Sequence, residues 1–250
     1  MSSRRRWLTC LLVVAGAGPA WGHSPPSEDT TDRYLKLTPM GDRVRLTYTV
    51  VFGRGPGART RARLDRDRDR TVSATEADVL GAELARDVGA ALTVTVDGTA
   101  APTVWHDVDV GLGTPAVSAG ALSVDLITWR CVAGPGDHVL TMSDHVALPD
   151  LGSTELTVEA GAGVTLAQVR LAGQDLPDRV ATWTGRDGPL ASGLELTYQV
   201  SPRAARPGDH RCDPRRASSP WPARAGAGLV VVLAGGAIGW SRRRRAGARR

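Results

Sequence analysis

Five apolar side chains, Val44, Leu46, Tyr48, Val50 and Phe52, occupy every second position of one stretch, with Arg43, Arg45, Thr47 and Thr49 between them. A period of two sends successive side chains to opposite faces of a strand, so this stretch has one face for a core and one for water. Such a strand is stable only in a sheet whose apolar face is covered by a second layer. The pattern returns at Leu92-Val94-Val96 before Asp97-Gly98, at Leu122-Val124-Leu126, Leu156-Val158 and Val169-Leu171, and at Leu194-Leu196-Tyr198-Val200. Gly, Pro or Asp stands between these runs. The spacing predicts a mainly β domain over residues 23–200, antiparallel and sandwich-like. Neither an internal repeat nor a composition boundary divides that range, which leaves open one sandwich or two smaller β units, 33–110 and 117–200. Aromatic residues are 4% of the chain, so Val, Leu and Ala must fill most of the core.

One stretch breaks the period. From Glu76 to Val88 the apolar residues Ala77, Leu80, Leu84 and Val88 recur at helical spacing, which predicts one amphipathic helix inserted between strands. The residues before it, 65–76, have the twelve-position layout of an EF-hand loop. Asp65, Asp67 and Asp69 take positions 1, 3 and 5, Thr71 offers its carbonyl at 7, Val72 is apolar at 8, and Ser73 and Glu76 stand at 9 and 12. Calcium is a hard cation that takes six to eight oxygens, and this spacing carries three monodentate carboxylates, a carbonyl and a bidentate carboxylate. The departure is Arg70 at position 6. A side chain in the left-handed turn required there costs about 1–2 kcal/mol, roughly tenfold in affinity, so the expected binding is weak. Two plainer readings compete. The alternating Asp and Arg from Arg63 to Arg70 would also make a solvated linker, and Ser73 with Glu76 is a capping box that starts a helix without any metal. Just upstream, Gly53-Arg54-Gly55-Pro56-Gly57 reads as a turn.

The ends differ in character from the middle. Residues 1–22 have the form of a secretory signal, with Arg4, Arg5 and Arg6, then an apolar run from Leu8 to Ala17, and Ala20-Trp21-Gly22 as a cleavage site. Residues 225–241 carry no charge and precede Arg242-Arg243-Arg244-Arg245. At about 1.5 Å per residue they just reach across a bilayer, and the positive tail, 242–250, sets its own side as cytoplasmic. Residues 201–224, rich in Pro and Arg, form the expected stalk. The same arrangement suits either a permanent anchor or a sorting signal that is later removed. The chain counts 31 Lys plus Arg against 26 Asp plus Glu, but three of those Arg precede Gly22 and seven follow Pro222. The middle is therefore acidic, and nucleic-acid binding loses its main support.

Cys131 and Cys212 are the two cysteines beyond the signal, an even count that outside the cytoplasm suggests one disulfide. His23, His106, His138 and His145 are the candidates for a transition-metal site. The last three stand beside Asp107, Asp137 and Asp144, and a plainer account makes them surface residues near turns. The sequence contains no nucleophile elbow, no His-Glu-x-x-His, no Cys-x-x-Cys and no phosphate-binding loop.

The Arg33-Tyr34-Leu35-Lys36-Leu37 run, the strand from Arg43, Leu64 with the acidic loop, Val72-Ser73-Ala74-Thr75-Glu76, and Leu92-Thr93-Val94-Thr95-Val96-Asp97-Gly98 together have a counterpart. Over residues 33–98 the chain resembles the extracytoplasmic domain that precedes or accompanies some bacterial nickel/cobalt permeases. The resemblance implies a secreted β domain with an EF-hand-like loop. It departs from that pattern at His23-Ser24-Pro25-Pro26, and the permease helices are not in the sequence. The expected protein is a bacterial cell-envelope module, held in the membrane by its C-terminal helix, binding calcium weakly and working as a structural or interaction element. The alternatives are an accessory to nickel, cobalt or copper uptake, with a metal permease or another envelope protein as partner, and an enzyme of unassigned type.

Overall fold

The computed structural model describes residues 28–185, 188–203 and 212. The expected signal, apolar span and Arg-rich tail lie outside these residues, as does most of the stalk. No helix among the described residues is long and apolar enough to cross a membrane.

Strands β1 (Thr31–Pro39) and β2 (Arg43–Phe52) form a hairpin in register from Thr31 opposite Phe52 to Pro39 opposite Val44. Two helices follow, α1 (Arg54–Leu64) and α2 (Ala74–Ala91). Helix α2 runs directly into β3 (Leu92–Val96), which turns back as the short β4 (Thr99–Ala100). Next come β5 (Asp107–Gly111), β6 (Leu122–Cys131), β7 (Gly136–Asp144) and β8 (Leu151–Val158). The last are β9 (Val164–Leu171), β10 (Gln174–Asp175), β11 (Val180–Thr184) and β12 (Leu194–Val200).

These strands make two six-stranded sheets, ordered β11-β8-β1-β2-β6-β5 and β10-β9-β12-β7-β3-β4. Their alternating residues bury one face of each in a common core, with Leu35, Leu46, Tyr48 and Leu126 from the first sheet and Leu140, Met142, Leu196 and Tyr198 from the second. The protein is mainly β, and the two-unit alternative falls. The chain crosses repeatedly between sheets, so β6 pairs with β2 and β7 with β3, and any division between residues 110 and 117 would cut both. The expectation of a purely antiparallel arrangement also needs correction, because β1 and β8 pair in parallel. A parallel neighbour requires a long crossover, and the chain between Pro39 and Leu151 supplies one.

Charge is buried where the sheets meet. Arg33 on β1 and Asp144 on β7 are ion-paired at 2.7 Å, and both side chains are almost wholly enclosed. The Tyr48 hydroxyl donates to the same carboxylate at 3.2 Å, the Val146 N–H caps its other oxygen at 2.8 Å, and Arg33 Nε donates to Thr154 at 3.1 Å. Buried charges are tolerated only when satisfied in this way, and the pair ties the two sheets at a single depth.

The single inserted helix of the sequence reading is two helices. Helix α2 extends the expected segment at both ends. It starts at Ala74 because Ser73 and Glu76 form a reciprocal capping box, and its Ala77, Leu80, Leu84 and Val88 are buried as the spacing predicts. At Gly81 it lies so close to β5 that a Cβ would come within 2.8 Å of Val108 Cγ1. Helix α1 replaces the turn expected at Gly53–Gly57. Pro56 is its third residue, where a missing N–H costs nothing because the first four N–H groups of a helix have no partner within it. Gly57 is required by contact, since a Cβ there would meet the Gly120 carbonyl oxygen at 2.3 Å.

Cys131, at the end of β6, is joined to Cys212 with a Cα–Cα distance of 5.5 Å. The Cys212 N–H also donates to Asp42 at 3.0 Å, so a point within the segment read as a stalk is fastened to the domain.

Candidate metal centre

Helices α1 and α2 flank the acidic loop Asp65–Glu76, so the loop joins an incoming helix to an outgoing one. Asp65, Asp67 and Glu76 each place one carboxylate oxygen within 4.8 Å of the others, the one such group of three or more His, Cys, Asp or Glu side chains among the described residues. The loop's backbone organises the convergence. The Arg70 N–H donates to Asp65 Oδ2 at 3.2 Å, and the Asp69 N–H donates to Asp67 Oδ1, also at 3.2 Å. Arg68 and Arg70 are both left-handed, at φ 63° and 70°. Position 6 thus takes the conformation the motif demands, with Arg in place of the usual Gly.

Glu76 serves two structures at once. Its Oε2 accepts from the Ser73 N–H and hydroxyl, both at 2.9 Å, completing the cap of α2, while Oε1 accepts from the Arg66 N–H at 2.8 Å across the loop. Hydrogen bonds from the Ser73 N–H, the Arg66 N–H and the Ser73 hydroxyl hold this carboxyl below the usual carboxylate range. Asp69 is not part of the converging group. Its Oδ1 instead accepts from the Thr71 N–H at 2.7 Å and the Thr71 hydroxyl at 2.6 Å. Ser73 is occupied by the capping box.

At Thr71 the chain forms a single antiparallel bridge, with Ala116. Its two bonds run from the Val72 N–H to the Pro115 carbonyl at 2.7 Å and from the Val117 N–H to the Arg70 carbonyl at 3.0 Å. Thr71's own N–H and carbonyl lie on the opposite side of the strand, and its N–H is bonded within the loop, so its carbonyl is on the loop side as well.

The donor set fits a hard cation: it consists of carboxylate, carbonyl and hydroxyl oxygens, with no sulfur or imidazole. One oxygen stands out. Asp65 Oδ1 is shielded from solvent and has no hydrogen-bond partner among the described residues, an unfavourable arrangement for a carboxylate unless something else meets it.

Among the described residues the histidines do not assemble. His138 is buried, with Nδ1 2.8 Å from Asp97 Oδ2 and Nε2 2.9 Å from the Gly134 carbonyl, while Asp137 accepts instead from Gln199. The expectation of a surface residue is wrong for His138, because alternation along β7 turns position 138 inward. His106 is half-buried, its ring stacked on Trp129 with centroids 3.5 Å apart. Burial, then Arg130 and Arg43, push the His106 pKa down. His145 is exposed as expected, and His23 lies outside the described residues.

Sequence reasoning missed α1 and, with it, Arg61. This side chain is fully buried and donates to five backbone carbonyls, those of Leu112, Thr114, Ala116, Gly120 and Ala121. The motif itself held the signal for the helix, since a loop of this type needs an incoming helix in the residues just before Asp65. No family model and no curated protein matches the chain.

Proposed function

We propose that the domain is a calcium-binding module of the bacterial cell envelope. One ion is held by Asp65, Asp67, Asp69, the Thr71 carbonyl and Glu76, with Ser73 beside it, and the module works as a structural or interaction element. Residues 225–241 anchor it in the membrane, with the β domain outside the cytoplasm. The reading is carried by the convergence of Asp65, Asp67 and Glu76 between two helices, with Asp65 Oδ1 shielded and without a hydrogen-bond partner among the described residues. Gathered carboxylates repel one another, and a bound divalent cation would neutralise them and draw the loop and both helix ends to one point. For this the chain's residues supply oxygens at set positions. Asp69 would need only to release Thr71 to join them.

Calorimetric titration of the full chain in mild detergent tests the reading. Calcium should bind at one site with a Kd of about 10⁻⁴ M, in the range of weak extracellular modules. Glu76→Gln should abolish the binding, because the amide keeps the cap but loses the charge and the bidentate grip. Absence of binding by the parent, or equal binding by Glu76→Gln, would overturn it.

A further inference from the structure

The acidic loop is bridged by a segment of its own chain, residues 112–121, which connects β5 to β6. Standing alone, Arg70–Val72 would leave the Arg70 carbonyl and the Val72 N–H unpaired, and a strand from a second loop or a second molecule would ordinarily be needed to meet them. Here the Pro115 carbonyl and the Val117 N–H meet both groups. The segment is itself held from the other side by Arg61, whose guanidinium spends all its donors on carbonyls between Leu112 and Ala121. Arg61 belongs to the helix that leads into the loop. A closed circuit results: helix α1, Arg61, segment 112–121, the Arg70–Val72 edge, Glu76 and helix α2.

Arg70 gains most from this circuit. Like Arg68 it is left-handed without being Gly, but it stands at position 6, and its peptide groups are bonded on both sides. Its N–H donates to Asp65 Oδ2, and its carbonyl accepts from Val117. We propose that segment 112–121 is the cis partner of the calcium loop. It holds Arg70 in the turn that glycine would otherwise supply and allows one loop to bind one ion in one chain. Arg61 and the Val117 N–H are thus positioning groups that touch no ion. The proposal rests on the calcium reading above.

Val117→Pro tests it with little collateral damage. Val117 opens a short 3-10 turn, a place that accepts proline, and Ala116 before it already has φ −58° and ψ 130°, the conformation that proline favours in its predecessor. The change removes one N–H, the donor to the Arg70 carbonyl. In calcium titrations of the full chain, Val117→Pro should bind about fivefold to tenfold more weakly than the parent, while Val117→Ala, which keeps the N–H, binds as the parent does. Adding Arg70→Gly to Val117→Pro should restore most of the loss, because glycine needs no such support. Sedimentation should show monomers with and without calcium.

If the parent binds and Val117→Pro binds equally well, the cis-partner proposal is wrong and the calcium reading survives. Dimers formed on adding calcium would likewise overturn the proposal alone. If Val117→Pro binds more weakly but Arg70→Gly gives no rescue, the support of Arg70 is refuted. If the parent does not bind, both readings fall together.

Discussion

The two helices that flank the loop are held in place by opposite means. Helix α2 is written locally: Ser73 and Glu76 cap it, its apolar residues form one stripe, and that stripe is buried. Helix α1 has no side-chain cap, begins with two glycines and a proline in its first four residues, and carries four arginines among its eleven residues. On propensity alone α1 should not form. It forms because Gly57 lies against Gly120, Leu64 is buried and Arg61 is enclosed by carbonyls. One side of the acidic loop is thus encoded by neighbours in sequence, the other by residues about fifty to sixty positions away. The loop between them inherits both dependences.

The largest test of that contrast is Arg61→Met. It keeps the apolar stem but removes the guanidinium from five buried carbonyls, of which those of Leu112 and Ala116 keep a backbone donor in Thr114 and Ala119, so chemical denaturation should show a loss of about 3 kcal/mol or more. Ser73→Ala, which removes the side-chain half of the cap on α2, should cost about 1 kcal/mol in the same measurement. Equal losses would remove the distinction between the two helices.

A smaller test lies at the far end of β3, the strand that α2 runs into. Asp97, at the end of β3, is bonded to His138 at 2.8 Å and to the Val139 N–H at 3.0 Å. Burial pushes its carboxyl up, but those bonds outweigh it and hold the pKa below the ordinary value. A depressed folded pKa means that the contribution is complete above the unfolded value, about 3.9, and is lost as pH falls through the lower folded one. The Asp97 side chain is 39% exposed, so solvent screens the interaction; Asp97→Asn should cost less than about 1 kcal/mol near neutrality, and parent and variant should converge in stability as pH falls through the depressed folded pKa. A difference that persists unchanged into acid would show that Asp97 acts by packing rather than by charge.

The same division explains what could be read from the chain. Strands β2, β3 and β12 and helix α2 declare themselves because their periods of two and 3.6 are unbroken, as with Val44 to Phe52 or Ala77 to Val88. The loop was legible because a metal motif constrains twelve consecutive positions. Helix α1 was hidden by Gly55, Pro56 and Gly57, whose role is contact rather than conformation, and no local pattern announces a buried Arg61. The parallel β1–β8 pair and the inward His138 likewise depend on which strands the core brings together. Asp69 was expected among the converging carboxylates, yet the shorter reach to Thr71 claims its side chain.

If calcium orders the unit made of α1, the loop, segment 112–121 and α2, thermal melting of the full chain in calcium and in chelator will register it. With a Kd of about 10⁻⁴ M and a few millimolar calcium, binding should stabilise the fold by roughly 2 kcal/mol, a rise of several degrees in Tm. Glu76→Gln should melt at one temperature in both conditions. A parent whose Tm is the same in calcium and chelator, or a Glu76→Gln variant that shifts as much as the parent, would mean that Asp65–Glu76 is a charged connector between helices and nothing more.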